Sequence, residues 1–418
     1  MSDCHCPLKI AAQEAPASLA FISRDLTLSF KELDRLADGF TFHQNSLIAT
    51  HHLPTHELIA LFFAAWRCNA SICPLNTKLP ALNIQSCLHR LQPDLFITSF
   101  PFKPLTTNPH KKPFSQSLLL FTSGSTGTPK IAVLSLKSLI ANATHSIPIV
   151  STDRYLLSLP LYHVGGIGIM LRCVLAKAAI VVDKNHPDIT HISCVPTQLY
   201  RESPAYKNLK CVLLGGAPIT SVPATLPIYG TYGLTEMGSM VLARKNPPQI
   251  DGHIYLGKAL PGREIRLKPD GEICVRGETL FDGYLNDKKI DDWFETGDIG
   301  KQHPTDGIAI IGRKDWQFIC GGENIQPEEI EQHLLQIPEV LEAVVVPKGD
   351  PEFGMRPVAM IRAQNSLFTL ERMQRILAKS LPKYKIPIAL YLVDDIPKNG
   401  LKIDRRQIIN KITNNHFE

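Results

Sequence analysis

The sequence predicts an α/β protein: a layered N-terminal part, then a small β-rich stretch, then a compact α+β piece. Three observations predict it. Between residues 118 and 240, short apolar runs alternate with helical segments; examples are Tyr155-Leu-Leu-Ser-Leu, Ala179-Ile-Val-Val and Cys211-Val-Leu-Leu. Residues 251–312 replace that alternation with short strands and turn signals at Pro269-Asp-Gly and Thr305-Asp-Gly. After Arg313 a helix is signalled by Pro327 near its first position, with Glu328, Glu329 and Glu331 in the opening turn. Proline suits that position, and acidic side chains complement the positive end of the helix dipole.

The N-terminal hundred residues show helical periodicity with short strands. Glu57 to Ala65 (ELIALFFAA) reads as a buried helix and Leu95 to Ser99 as a strand. Pro101 to Ser117 is polar and Pro-rich and reads as an exposed linker. The chain shows no internal repeat or low-complexity tract.

Composition narrows the function. The 418 residues are 44% apolar and 20% charged, an ordinary globular balance with ample core material. A net charge of +5, scattered rather than striped, fits small anionic ligands and argues against nucleic acid. The ten cysteines sit mostly in apolar runs (Cys68, Cys73, Cys173, Cys194, Cys211, Cys274), as reduced thiols of a cytoplasmic protein do. Cys4-His5-Cys6 lacks a second ligand pair at zinc spacing. The N-terminus shows no basic segment leading into an apolar one, so secretion is not expected. The longest apolar run, Ile167 to Val182, is interrupted by Arg172 and Lys177 and is short for a membrane span. Oligomeric state is left open, with a homo-oligomer allowed.

The strongest local feature is Thr122-Ser123-Gly124-Ser125-Thr126-Gly127-Thr-Pro-Lys130. It lies between the apolar runs Leu118 to Phe121 and Ile131 to Leu134. Five hydroxyls, two glycines and one lysine fall in nine residues. Glycines let backbone amides approach an anion closely, hydroxyls add donors, and Lys130 adds positive charge, so the loop is suited to a triphosphate. Walker A spacing is absent, and a strand rather than a helix follows. The plain alternative is a polar turn in a hairpin.

Residues 122–130 resemble the signature loop of the acyl-CoA synthetase, adenylation-domain and luciferase superfamily. Four further segments resemble that superfamily's motifs in its order. They are Tyr229-Gly-Thr-Tyr232-Gly233-Leu-Thr235-Glu236, Glu295-Thr-Gly-Asp298, Gly312-Arg313-Lys-Asp315 with Gly321-Gly-Glu-Asn324, and the C-terminal Pro397-Lys-Asn-Gly-Leu-Lys402-Ile-Asp-Arg405. The resemblance covers nearly the whole chain. It implies a large N-terminal adenylate-forming domain (1–314, with the β-rich subdomain at 251–312) and a small α+β lid (315–418) that turns about Asp315. It also implies ATP, Mg²⁺ and coenzyme A.

The same resemblance assigns roles. Tyr232 stacks on adenine, flanked by Gly215, Gly216 and Ala217. Glu236 binds Mg²⁺, a hard cation that commonly takes one or two protein carboxylates. Asp298 accepts from the ribose hydroxyls, with Arg313 near ribose and phosphates. Lys402 stabilises charge in the adenylation step. Each has a plainer reading: a core tyrosine, a strand exit, a solvated glutamate, a turn aspartate. Leu401 stands where the family has a glycine before the lysine, and one loop position is missing.

Leu159-Pro-Leu-Tyr-His163-Val-Gly-Gly-Ile-Gly-Ile-Met-Leu-Arg172 carries the substrate information. In the family His163 borders the acyl and pantetheine path; a lone histidine of this kind is otherwise a core residue. Arg172 interrupts an apolar run, and an unpaired buried guanidinium is costly. Its partner is an internal carboxylate, solvent at a helix edge, or a second carboxylate on the substrate. The segment and Val195-Pro-Thr-Gln-Leu199 resemble the o-succinylbenzoate–CoA ligases of menaquinone synthesis. That implies a small dicarboxylic aromatic acid, activated as acyl-adenylate and passed to CoA. Alternatives are a CoA ligase for another aryl or fatty acid, an adenylation enzyme loading a carrier protein, and a non-catalytic nucleotide binder.

Overall fold

The computed structural model describes residues 6–99, 115–122, 129–201, 206–217, 219, 221–287, 290, 292–364, 367–399 and 402–413. Among these, the N-terminal part is built on two large sheets. One has six strands in the order Gly283–Tyr284, Lys130–Ser135, Ser117–Thr122, Ser71–Pro74, Leu47–Thr50, Leu95–Ile97. The other has eight, from Ser239–Lys245 through Ile228–Leu234, Cys211–Leu214, His191–Cys194, Arg154–Leu156, Ala179–Val181 and Leu19–Ile22 to Thr27–Ser29.

Helices fill the space against these sheets because their sequences are apolar nearly all round. Thr55–Arg67 buries every residue from Ile59 to Trp66, and Val164–Ala176 buries every residue from Gly166 to Val174. Both belong to one core with Phe30, Leu118, Leu134 and Tyr155. A helix without a polar face has to be buried, and the expected 57–65 helix is the middle of the first of these.

His191–Cys194, Cys211–Leu214 and Ile228–Leu234 are parallel neighbours. Parallel pairing points their C-terminal ends the same way. Val195, Gly215 and the turn Thr235–Met237 are thereby delivered to one edge. That edge is where open α/β sheets present ligand crevices.

The β-rich stretch is an antiparallel sheet of Arg263–Leu267, Glu272–Gly277, Phe294–His303 and Gly307–Arg313. It is less self-contained than the sequence implied. Gly283–Tyr284 leaves it and pairs with Lys130–Ser135 of the six-stranded sheet, Tyr284 opposite Ala132. The expected linker also ends earlier. Residues 101–114 lie outside the described residues, while Ser117 is buried at the start of a strand and opposes Ser135.

The C-terminal domain packs helices Pro327–Leu335, Leu370–Leu377 and Arg405–Thr413 on a sheet whose long hairpin is Val340–Asp350 with Gly354–Ala363. Alternate residues face opposite sides of a strand. Ala343 and Val345 accordingly pack with Ile330, Leu334 and Met373, and Val344 and Val346 with Ile408 and Ile412. Pro327 does open its helix. Glu328 and Glu331 do more there than complement a dipole. Both are buried, and Arg405 pairs with Glu331 at 2.6 Å and Glu328 at 3.6 Å.

The described cysteines are free thiols. Cys4 and His5 lie outside the described residues, and the Cys6 sulfur accepts from Arg67 Nε at 3.2 Å. No helix among the described residues is long and apolar enough to cross a membrane.

Candidate active site

The phosphate-loop candidate is the connection of a hairpin. Thr122 and Lys130 are opposite each other on adjoining antiparallel strands, and Thr122 Oγ1 donates to the Lys130 carbonyl at 3.4 Å. Ser123, Gly124, Ser125, Thr126 and Gly127 lie outside the described residues. The expectation of a following strand rather than a helix holds. It distinguishes this loop from a Walker A loop, whose anion sits on a helix N-terminus.

Two hydrogen-bonded chains converge at the same edge. In the first, the Tyr232 hydroxyl donates to Asp298 Oδ2 at 2.7 Å, and Arg313 donates to Asp298 Oδ1 at 3.0 Å and to Asp315 Oδ2 at 2.9 Å. Tyr232, the candidate ribose carboxylate, the candidate cation and the candidate hinge are thus one contiguous network. Tyr232 is almost fully buried. Burial, then the Asp298 charge beside it, pushes its phenol well above the usual range, so it stays a donor. Both Asp298 oxygens are engaged, yet a carboxylate offers about four acceptor sites, so capacity for ribose hydroxyls remains. The Arg313 guanidinium is held to Thr296 as well, donating to its carbonyl at 2.9 Å.

In the second chain, the Tyr284 hydroxyl donates to Glu236 Oε1 at 2.8 Å, and Lys130 Nζ lies 4.6 Å from the centre of the Tyr284 ring. Glu236 sits in the turn Thr235–Met237, which Gly238 closes in a left-handed conformation (φ 65°). Its second carboxylate oxygen has no protein partner among the described residues. A hard, half-free oxygen donor of this kind fits Mg²⁺, which retains water and substrate phosphates in its shell. Sequence reading missed Tyr284. It lies 48 positions from Glu236 in Phe281-Asp-Gly-Tyr284, and only the strand crossover brings it here.

The Gly215–Ala217 segment leaves the strand Cys211–Leu214, and Gly215 N–H donates to the Cys194 carbonyl at 3.3 Å. A Cβ on Gly215 would lie 2.2 Å from Thr231 Oγ1, so the strand exit can pack against the Tyr232 strand only as glycine.

His163 and Arg172 share the helix Val164–Ala176, His163 as its N-cap residue. His163 is exposed, with its ring 4.7 Å from that of Tyr162, and so is not a core histidine. Arg172 is 2% exposed. Its Nε donates to Ser146 Oγ at 3.2 Å, and it forms no ion pair with any described carboxylate. Two of the three partners weighed from sequence, an internal carboxylate and solvent at a helix edge, are therefore absent among the described residues. The guanidinium folds back over Gly168, where a Cβ would come within 3.0 Å of Nη2. Gly168 lies five positions beyond His163, about 7.5 Å along the helix.

Arg263 adds to the local positive charge. It is buried and donates to the carbonyls of Asn142, His145 and Pro261. Burial, then the nearby Arg172 charge, depresses its pKa to about 10.

The Lys402 strand, Lys402–Ile403, is antiparallel to Lys398–Asn399, with Asn399 opposite Lys402. Gly400 and Leu401 lie outside the described residues, as does the Lys402 side chain. Lys398, the other lysine of the motif, is committed to Glu342 at 2.5 Å.

A layered α/β domain with a candidate nucleotide site at its strand ends, followed by a small α+β domain, is the architecture of an adenylate-forming enzyme. The chain belongs to the AMP-binding enzyme family, which matches residues 101–285, with the AMP-binding enzyme C-terminal domain matching 329–402. It is 32% identical to the 2-succinylbenzoate–CoA ligase of Escherichia coli strain K12, over 94% of each chain. It is 34% identical to the enzyme of that name from Haemophilus influenzae, over 85% of this chain and 84% of that one. Among solved structures, an E. coli MenE variant with bound OSB-AMS superposes with a TM-score of 0.80 at 29% identity, covering 98% of both chains. Bacillus subtilis o-succinylbenzoate CoA synthetase, in complex with the acyl-adenylate intermediate OSB-AMP, gives 0.82 at 25% identity, covering 96% of this chain and 97% of that one.

Proposed function

We propose that this chain is an ATP-dependent acid–CoA ligase that converts o-succinylbenzoate (2-succinylbenzoate) to its CoA thioester through an acyl-adenylate. The observation that carries the choice of acid is Arg172, buried and without a carboxylate partner among the described residues. A charge in that state needs an anion to complete it. An acid that reacts through one carboxylate and keeps a second supplies one. The name shared by the relatives supports the same substrate.

In the first step the aliphatic carboxylate attacks the α-phosphate of ATP and pyrophosphate leaves. The phosphate loop from Thr122 to Lys130 holds the triphosphate, and Tyr232 with Gly215, Gly216 and Ala217 borders adenine. Asp298 and Arg313 orient the ribose. Glu236 would hold Mg²⁺, which supplies charge neutralisation on the phosphates when bound. Lys402 stabilises the charge that develops at the α-phosphate, and Arg172 fixes the far end of the acid. Held in line, the two reactants need little further assistance. In the second step the C-terminal domain turns about Asp315 and the CoA thiol displaces AMP along the path that His163 borders. The hinge draws support from the Arg313–Asp315 contact, which has to be remade as the backbone there rotates. Free thiols among the described residues suit a reducing cytoplasm.

The test is CoA-dependent AMP release over a panel of carboxylic acids. Thioester formation with o-succinylbenzoate, far above that with monocarboxylic aromatic or fatty acids, is expected. Adenylation that no added CoA can discharge would instead mark a carrier-protein-loading enzyme.

A further inference from the structure

Lys130 and Glu236 are opposite charges on one small site, and each is needed by a different partner, the ammonium by phosphate and the carboxylate by metal. Left alone they would pair with each other. They form no ion pair here, and Tyr284 is what stands between them. Its hydroxyl donates to Glu236 Oε1 at 2.8 Å, and its ring face lies under Lys130 Nζ at 4.6 Å. An ammonium over an aromatic face is attracted by the ring quadrupole.

The backbone fixes this arrangement twice. Phe281 N–H donates to the Glu236 carbonyl at 2.8 Å, and Asp282 and Leu285 donate to the Val133 and Ile131 carbonyls at 2.9 and 2.8 Å. Residues 281–285 therefore strap the Glu236 turn to the Lys130 strand. Phe281 packs edge-on against the Tyr284 ring at 4.9 Å and limits its rotation.

We infer that Tyr284 is a positioning residue that keeps Lys130 and Glu236 apart, leaving one Glu236 oxygen for the metal and the Lys130 ammonium for the triphosphate. The inference rests on the reading of Glu236 as metal ligand and Lys130 as phosphate ligand. The two functions of Tyr284 are separable, since phenylalanine retains the ring and loses the hydroxyl.

The experiment is calorimetric binding of α,β-methylene-ATP, which cannot be adenylated, with Mg²⁺ and with EDTA, to wild type, Y284F, Y284L and E236Q. Thermal scans of each variant report folding. Y284F should bind the metal-free analogue as wild type does and lose about tenfold of the Mg²⁺-dependent gain, the equivalent of one hydrogen bond to a charged group. Y284L should weaken metal-free binding as well, because Lys130 is then free to pair with Glu236. If E236Q retains the full Mg²⁺ gain, the metal-ligand reading itself fails. If E236Q loses that gain while Y284F keeps it, the assignment of Tyr284 is overturned. A Y284L protein that folds and binds the metal-free analogue normally overturns the separation of the charges.

Discussion

Replacing Arg172 by methionine, R172M, removes the guanidinium and keeps most of the aliphatic volume, and its effects should have opposite signs on stability and on catalysis. The wild-type side chain is 2% exposed and, among the described residues, has one hydrogen bond, to Ser146 at 3.2 Å, and no carboxylate beside it. A second buried arginine, Arg263, is close enough for Arg172 to contribute to lowering its pKa. The substrate-free protein therefore pays for an uncompensated charge. Swapping a buried ionic group for a hydrophobic one of similar size is neutral or stabilising by roughly 1–4 kcal/mol. R172M should hold or raise Tm. In the complex the sign reverses. Deleting one partner of a buried charge pair costs about 2–5 kcal/mol, and at about 1.36 kcal/mol per decade the central loss is roughly 10²–10³ in kcat/KM. The assay is thioester formation with o-succinylbenzoate and with 4-oxo-4-phenylbutanoate, the same acid without the ring carboxylate. The first should fall by that factor, and the second should change little. Equal losses on the two acids, or a Tm well below wild type, would refute the reasoning, because Arg172 would then be structural.

Four further outcomes are expected. D298N removes the charge that faces both Tyr232 and Arg313; KM for ATP in pyrophosphate exchange should rise about tenfold or more, with the acid's KM nearly unchanged. K402A should lower ATP-dependent adenylation by about 10²–10³, leaving thioester formation from supplied acyl-adenylate largely intact, whereas K398A should instead lower stability by stripping a partner from Glu342. R405M leaves Glu331 and Glu328 buried without their cation, a loss of about 3–5 kcal/mol in urea unfolding. Burial, only partly offset by Arg405, raises the Glu328 pKa. Its contribution to stability is therefore full below the ordinary glutamate value of 4.5 and is lost as pH rises through the raised value. Unfolding titrations should show E328Q gaining on wild type as pH rises above 4.5; a constant gap would remove Glu328 as the cause.

Part of the candidate site was legible because its chemistry is written locally. A phosphate loop needs glycines and hydroxyls within a few residues, so Thr122 to Lys130 stands out by composition, whereas Glu236 and Asp298 are singled out only by their resemblance to the family's motifs. The layered α/β part was legible from apolar runs, whose spacing is also local. The crossover strand Gly283–Tyr284 was not, because two residues carry no periodicity. Glu328 and Glu331 looked like ornaments of a helix start, since nothing in their neighbourhood announces Arg405, 74 positions beyond Glu331.

The sequence by itself determined the order of the motifs and the layered α/β character, which follow from short-range composition, while the group each motif is expected to bind comes from the family resemblance. Only the tertiary structure decided which charges are paired. It left Arg172 without a described anion, committed Lys398 to Glu342, and set Tyr284 between Lys130 and Glu236. Pairing is a matter of a few ångströms between residues far apart in the chain, and the energy of a charge depends on the burial and partners that folding supplies.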